Sequence, residues 1–392
     1  MNTKVALRKE AVCLHLQGVS KTEIARRLKK SRRWVYRWIA RYDREQGEKS
    51  LGNHSSAPKH RKEIYPQKIK DMVVKSRKAR KAGHRKYSYA LVSAEAIYYE
   101  LRDLGVSPLP PSRTIHFWLK QAGEIDEWQK PGKESNPTYP VLLCKAVNDV
   151  HELDLKGPFY LEGSSQKYYL IVARDVFGKK VALRVLKEKE MEQIIDFLVE
   201  IWQKIGLPKF LQMDNGLEFR GRNAYPRSLS RLVRVCLDLK VQPVFIPKSE
   251  PWRNGVIENL NGLIQRLFLK AKTFENEKQL FREAQKLEAC INTTHRLPAL
   301  DGKTPNEFAV KVSMRSLPSG YNWRKRNLQL VKGKVTFIRL VRKSGRITLA
   351  GDDKFLVGKK YKWQYVQAIV NVQQKQLGFY LMGKLIKSVT YP

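Results

Sequence analysis

Between Val150 and Lys272 the residues change period in a fixed order, and that order restricts the folds open to the chain. HELDL (151–155), YYLIVAR (168–174) and KVALRVL (180–186) are short apolar runs suited to three consecutive antiparallel strands. An amphipathic helix runs from Glu190 to Ile205 and stops at Gly206-Leu207-Pro208. FLQMD (210–214) is a fourth strand, turned off by Asn215-Gly216. Leu229 to Leu239 reads as a helix, QPVFIP (242–247) as a fifth strand, and Pro251 to Lys272 as a long helix. Three strands followed by alternating helix and strand predict a mixed α/β domain.

Charge separates this domain from its flanks. The 392 residues hold 76 Lys plus Arg against 37 Asp plus Glu, a net of +39. Residues 1–123 carry 29 bases and 10 acids, and residues 324–392 carry 16 and 2. The stretch between has 31 and 25, close to balance. A polyanion is the expected partner, nucleic acid first. With 42% hydrophobic residues the chain can build real cores, which excludes a disordered polycation. No run approaches the roughly 18 apolar residues of a membrane span. MNTKVALRKEAV lacks the apolar stretch of a signal peptide. Cys13, Cys144, Cys236 and Cys290 are scattered and form no CxxC pair, which fits a reducing cytoplasm.

The basic N-terminal third reads as helices. Residues 3–17 stop at Gly18, Ser20 begins a capping box with Glu23 for a helix from Lys21 to Lys29, and Ser31 caps a third to about Arg44. Trp34, Val35, Trp38, Ile39 and Tyr42 form its apolar face. Arg32, Arg33, Tyr36, Arg37 and Arg41 lie mostly opposite, as candidate DNA contacts. This predicts a helix-turn-helix over 1–46, followed by a mobile Gly/Ser/Pro linker at 47–62. A second, winged-helix-like module is expected over 63–123, from helices at Pro66–Lys81, Tyr89–Asp103 and Ser112 to Gly123. Arg113, Thr114, His116 and Phe117 are its candidate DNA face. A linker at 124–147 leads to the α/β domain, 148–310.

Three acids fall at element ends in that domain: Asp154 in HELDLKG, Asp214 in MDNGLEF and Glu258 in GVIENLNG. A carboxylate at the end of an apolar strand is costly unless a cation compensates it. Two such groups plus one from a helix suit a pair of Mg²⁺ ions, which take hard oxygen ligands. Any one alone would read as a turn or cap acid. The element order βββαβαβα is that of a ribonuclease-H-like fold. With the three motifs in sequence, the chain resembles the DDE transposases of bacterial insertion sequences, whose catalytic core is of retroviral-integrase type. INTTHRLPALDGKTPNEF (291–308) resembles the family's stretch after the catalytic helix.

The resemblance implies Asp154, Asp214 and Glu258 as catalytic residues and ligands of two Mg²⁺ ions, with Mn²⁺ as a substitute. It implies 3′-end cleavage at terminal inverted repeats and strand transfer into a target duplex by a homo-oligomer assembled on DNA, with a partner ATPase in some cases. There are departures. Forty-three residues separate Asp214 from Glu258, more than is usual, and RGRNAYPRS (220–228) is the expected insertion. Where relatives carry Lys or Arg two turns after the Glu, this chain has Gln265 with Arg266 next, so Arg266 is the candidate DNA contact. Strand alternation puts Glu152 on the side of Asp154, bordering the metal site without being a primary ligand.

The tail reads as short strands (KVTFIRLV, RITL, KFLV, YVQAIVNV, LGFYLM, LIKSV), predicting a small SH3-like barrel over 325–392. Arg339, Arg342, Lys343, Arg346, Lys359 and Lys360 are its expected phosphate contacts. The fold class expected is thus multidomain α+β: two helix-turn-helix modules, a ribonuclease-H-like core and a barrel. Two other functions stay open: a ribonuclease-H-type nuclease without strand transfer, and a DNA-binding regulator that no longer cuts.

Overall fold

The computed structural model describes residues 3–45, 48–53, 64–125, 138–221, 228–248, 250–310, 314–329, 331–349 and 353–391. Two compact units divide the chain, Met1–Ile64 and Tyr65–Pro392. Among the described residues no helix is long and apolar enough to cross a membrane.

In the first unit, α1 (Thr3–Leu16), α2 (Lys21–Arg27) and α3 (Arg32–Glu45) bury Ala11, Ile24, Ala25, Val35 and Ile39 against one another. Ser20 Oγ accepts from the Glu23 N–H as predicted, but the Glu23 carboxylate turns outward to Arg26 and Arg27. The expected mobile linker is docked at its start. Leu51 is buried beside Val12 and Trp38, and its carbonyl accepts from Arg8 Nη1. One leucine in a polar stretch supplies enough apolar area to hold the turn.

The second unit begins with α4 (Gln67–Lys81), α5 (Ala94–Asp103) and α6 (Ser112–Gln121) around Val73, Ile97, Leu101, Ile115 and Leu119. The middle helix starts later than predicted, capped by Ser93, because Tyr89 takes a left-handed φ of 62° that no helix continues through. Tyr89 instead docks on the α/β domain, its hydroxyl donating to Glu283. The third helix begins at Ser112 as expected, with Pro111 in the cap position and no side-chain cap.

Strands β1 (Val150–Phe159), β2 (Tyr168–Asp175) and β3 (Val181–Leu186) are consecutive and antiparallel, while β4 (Phe210–Met213) and β5 (Gln242–Phe245) run parallel to β1 on its other side. The order β3-β2-β1-β4-β5 is the ribonuclease-H-like arrangement expected. One face is covered by α7 (Met191–Ile205) and α9 (Arg231–Asp238), reached through the short α8 (Leu217–Arg220). The other is covered by α10 (Gly255–Ile264) and α11 (Glu277–Thr293), with α12 (Pro305–Ala309) following. The long helix predicted over 251–272 is a 3₁₀ turn at Pro251–Arg253, then α10, then a π-helical turn at Gln265–Leu269.

The expected separate barrel is corrected by the strand pairing. β6 (Lys334–Leu340) lies parallel to β5, and β9 (Tyr365–Asn371), β10 (Gln376–Leu381) and β11 (Lys384–Thr390) continue from it antiparallel, giving one nine-stranded sheet. β7 (Arg346–Thr348) and β8 (Lys354–Leu356) form a hairpin beside it. Without β6, β5 would leave an unpaired apolar edge. Among the described residues no strand pair closes this sheet into a barrel. Half of the predicted linker 124–147 and most of the expected insertion 220–228 lie outside the described residues.

Candidate active site

Alternation along β1 sends Leu153 into the α7/α9 core and sends Glu152 and Asp154 toward α10. Parallel pairing aligns Glu152 with Gln212 of β4, so two residues further on Asp154 and Asp214 lie side by side. Asp214 follows the end of β4, but Asp154 does not close its strand as expected: it pairs with Val172 of β2, and β1 runs on to Phe159. Burial raises the Asp214 pKa. The Gly216 N–H at 2.8 Å opposes this, and the charges of Asp154 and Glu218 raise it further. Two carboxylates that repel across neighbouring strands form a site that a cation would relieve.

Glu218 is the acid the sequence reading misses. It follows the Asn-Gly turn, and α8 folds it back so closely that a Cβ on Gly216 would lie 2.6 Å from its Cδ. Its sequence signal is its place in MDNGLEF, just after the Asn-Gly turn.

Glu258 sits in the first turn of α10 and is exposed. One turn later Asn261 Nδ2 donates to Asp154 Oδ2 at 2.7 Å, while Asn261 Oδ1 is buried without a partner. The helix bearing Glu258 is thus fastened to Asp154, but Asp154 and Asp214 are the pair brought together. Among the described residues no three His, Cys, Asp or Glu side chains meet at metal-holding distance.

Glu152 has a different role from its neighbour. Its Oε2 accepts from the Ile257 N–H at 2.6 Å, and Oε1 accepts from Gln212 Nε2, which also donates to Asn254. Burial pushes its carboxyl up to about 7, against the helix N–H groups and the charges of Arg174 and Lys179. An acid at a helix N-terminus satisfies N–H groups that have no intrahelical partner, so Glu152 fixes where α10 begins.

The predicted DNA contacts divide. Arg32, Arg33, Tyr36 and Arg37 are exposed on α3, whereas Arg41 lies over the Trp38 ring and pairs with Glu45. On α6, Arg113 and His116 are exposed and Thr114 is half-buried. Arg266 is exposed on the π-helical turn. Arg342, Lys343, Arg346, Lys359 and Lys360 are exposed and gathered by Gly345, whose φ of 74° lets the turn close against Lys359, where a Cβ would meet its backbone nitrogen at 2.6 Å. Arg339 is a correction: it is buried, donating to the carbonyls of Phe245, Ile246, Ile338 and Thr348 and to Asn215 Oδ1. Alternation along β6 turns it inward.

Residues 8–66 match the winged helix-turn-helix family model. No curated protein matches the chain. Among solved structures, the chain is similar to the HTLV-2 integrase catalytic core domain in complex with magnesium, in a trimeric form (19% identity, 41% of this chain, 96% of that chain, TM-score 0.32). It is similar to the simian T-cell lymphotropic virus intasome in complex with a PP2A regulatory subunit (16%, 70%, 88%, 0.37) and to the BIV integrase catalytic core (17%, 41%, 93%, 0.30). The chain thus joins a unit matching the winged helix-turn-helix family to a mixed α/β core with ribonuclease-H-like strand order.

Proposed function

We propose that this chain is a DNA transposase that binds terminal inverted repeats, cleaves 3′ ends and transfers them into a target duplex. The observation that carries this reading is the pair formed by Asp154 within β1 and Asp214 at the end of the adjacent parallel β4, repelling each other beside the helix that bears Glu258. Asp154, Asp214 and Glu258 would hold two Mg²⁺ ions, or Mn²⁺. The donor set suits them: hard carboxylate oxygens, with the unpartnered Asn261 Oδ1 beside Asp154. Bound there, the metal would supply Lewis-acid stabilisation of the charge that develops on the reacting phosphate. Asn261 orients Asp154, and Glu152 holds the first turn of α10, so that Glu258 is carried on a fixed element. The exposed cations of α3 and α6 are suited to the element end, and those around Gly345 to backbone phosphates.

Two ends joined in concert need a homo-oligomer on DNA, and a partner ATPase is compatible with the reading. The location proposed is the bacterial cytoplasm, at the nucleoid. The test is incubation with labelled element-end DNA, Mg²⁺ and a plasmid target, beside Asp214→Asn. Joined products lost in the variant are expected. Hydrolysis without joining would replace the reading with a nuclease, and binding with neither reaction would replace it with a regulator.

A further inference from the structure

A cavity of about 440 Å³ opens between the end of the catalytic sheet and the C-terminal strands. It is bounded by Arg220, Lys248, Arg339, Arg342 and Lys354, with Glu250 as its one acid among the described residues. Glu250 is already engaged, accepting from Arg253 Nε at 3.0 Å and from the Tyr365 hydroxyl at 2.7 Å. Among the described residues none of the five cations has an ion-pair partner. Arg220 Nε is buried with no hydrogen-bond partner at all. Every bond that Arg339 makes goes to a neutral oxygen, so its hydrogen bonds are satisfied while its charge is not. Burial and then the nearby charge of Arg220 hold Arg339 down to about 10. Like charges gathered in a half-enclosed space cost free energy until an anion joins them.

The cavity's position says which anion. Asn215 lines it, accepts from Arg339 Nη2 at 2.6 Å, and directly follows Asp214. A second hollow, sharing Arg342 and Lys354 and adding Arg346, carries the basic track outward along the β7–β8 hairpin. We propose that this cavity seats a backbone phosphate of the DNA strand running past the Asp154–Asp214 pair, next to the phosphate that reacts. The C-terminal strands then set the strand's register at the carboxylates without reading bases. The proposal rests on the reading of the chain as a DNA-processing enzyme.

The test uses the full chain without metal and a fluorescent duplex of arbitrary fixed sequence, titrated by anisotropy at several salt concentrations. Arg342→Gln with Lys354→Gln, both exposed, is compared with Lys278→Gln and Arg282→Gln, an equal charge loss on the exposed face of α11. Each phosphate contact contributes about 0.9 to the slope of log affinity against log salt. The cavity pair should therefore flatten the slope by about one, equivalent to about fourfold less affinity loss between about 50 and about 200 mM salt. The α11 pair should leave the slope unchanged. Equal slopes in the two variants overturn the proposal. A second measurement needs no variant: Lys248 and Lys354 should be shielded from amine acetylation by the duplex, with Lys278 as reference, and equal reactivity overturns it as well. Joining in Mg²⁺ is scored separately, so failure of the transposase reading leaves the phosphate site standing or falling on its own result.

Discussion

Replacing Phe337 with alanine should loosen strands β1–β5 and the C-terminal strands together. Phe337 is 5% exposed on β6, and its ring stacks on Phe245 of β5 at 5.1 Å and 11° between planes. The two residues are also partners in the parallel ladder. Truncating a buried Phe costs about 3–5 kcal/mol through lost transfer energy and the cavity left behind. The aromatic pair adds about 0.5–1.5 kcal/mol beyond area. Against a total of about 5–15 kcal/mol that is a large fraction. With a urea slope of about 3 kcal/mol per M, the midpoint should fall by roughly 1 to 2 M. Hydrogen exchange read peptide by peptide supplies the discriminating result. If the sheet is one cooperative body, β4 and β5 lose protection in step with β6 and β9. Should β6 and β9–β11 open while β1, β4 and β5 keep full protection, the inference of one coupled sheet is refuted, and the tail is a separate module despite its pairing.

Three further outcomes are expected. His295 Nε2 sits 2.8 Å from the Tyr89 carbonyl, and burial pushes its pKa down to about 4, aided by Arg174 and Arg80 and opposed by that hydrogen bond. The folded value lies below the unfolded one near 6.5, so the unfolded chain protonates first. This contribution is full above about pH 6.5 and is lost as pH falls toward 4, up to about 3 kcal/mol. His295→Gln should flatten that part of the urea midpoint's pH profile, and parallel profiles would count against the argument. Glu152→Gln keeps an acceptor for the Ile257 N–H and should cost about tenfold or less in joining, whereas Asp154→Asn should abolish it; equal loss would make Glu152 a ligand. Glu152→Leu should instead destabilise by about 1–3 kcal/mol by stranding buried donors. In the first unit, Arg33→Ala and Arg37→Ala should weaken duplex binding with melting unchanged. Arg41→Ala should lower the melting temperature, since Arg41 is 13% exposed and covers Trp38.

What the sequence shows best is what depends on local periodicity. The five core strands, α7 and the caps at Ser20 and Ser31 follow from apolar spacing and short-range hydrogen bonds. Asp214 could be placed because its apolar run ends where β4 ends, whereas Asp154, expected at a strand end, lies inside a strand that continues to Phe159. What was not legible depends on partners distant in sequence. Tyr89 leaves its predicted helix for Glu283, 194 residues away. Leu51 closes a linker that composition alone reads as free. Pairing of β6 with β5 converts a predicted barrel into an extension of the core, because a short apolar strand does not declare its neighbour.

Arg339 shows why counting cations misjudges a basic tail. Its register on β6 turns the side chain toward the core, where it bridges Ile246 at the end of β5 and Asn215 beside Asp214. Asn215 in turn donates to the Ile246 carbonyl. One guanidinium therefore ties a C-terminal strand to the turn that carries a candidate metal ligand. Surface cations such as Arg342 and Lys343 answer to salt, since their energy comes from released counterions. Arg339 is nine-tenths covered and answers to packing instead. Raised salt should weaken the contacts of the exposed cations while leaving this hydrogen-bonded link intact.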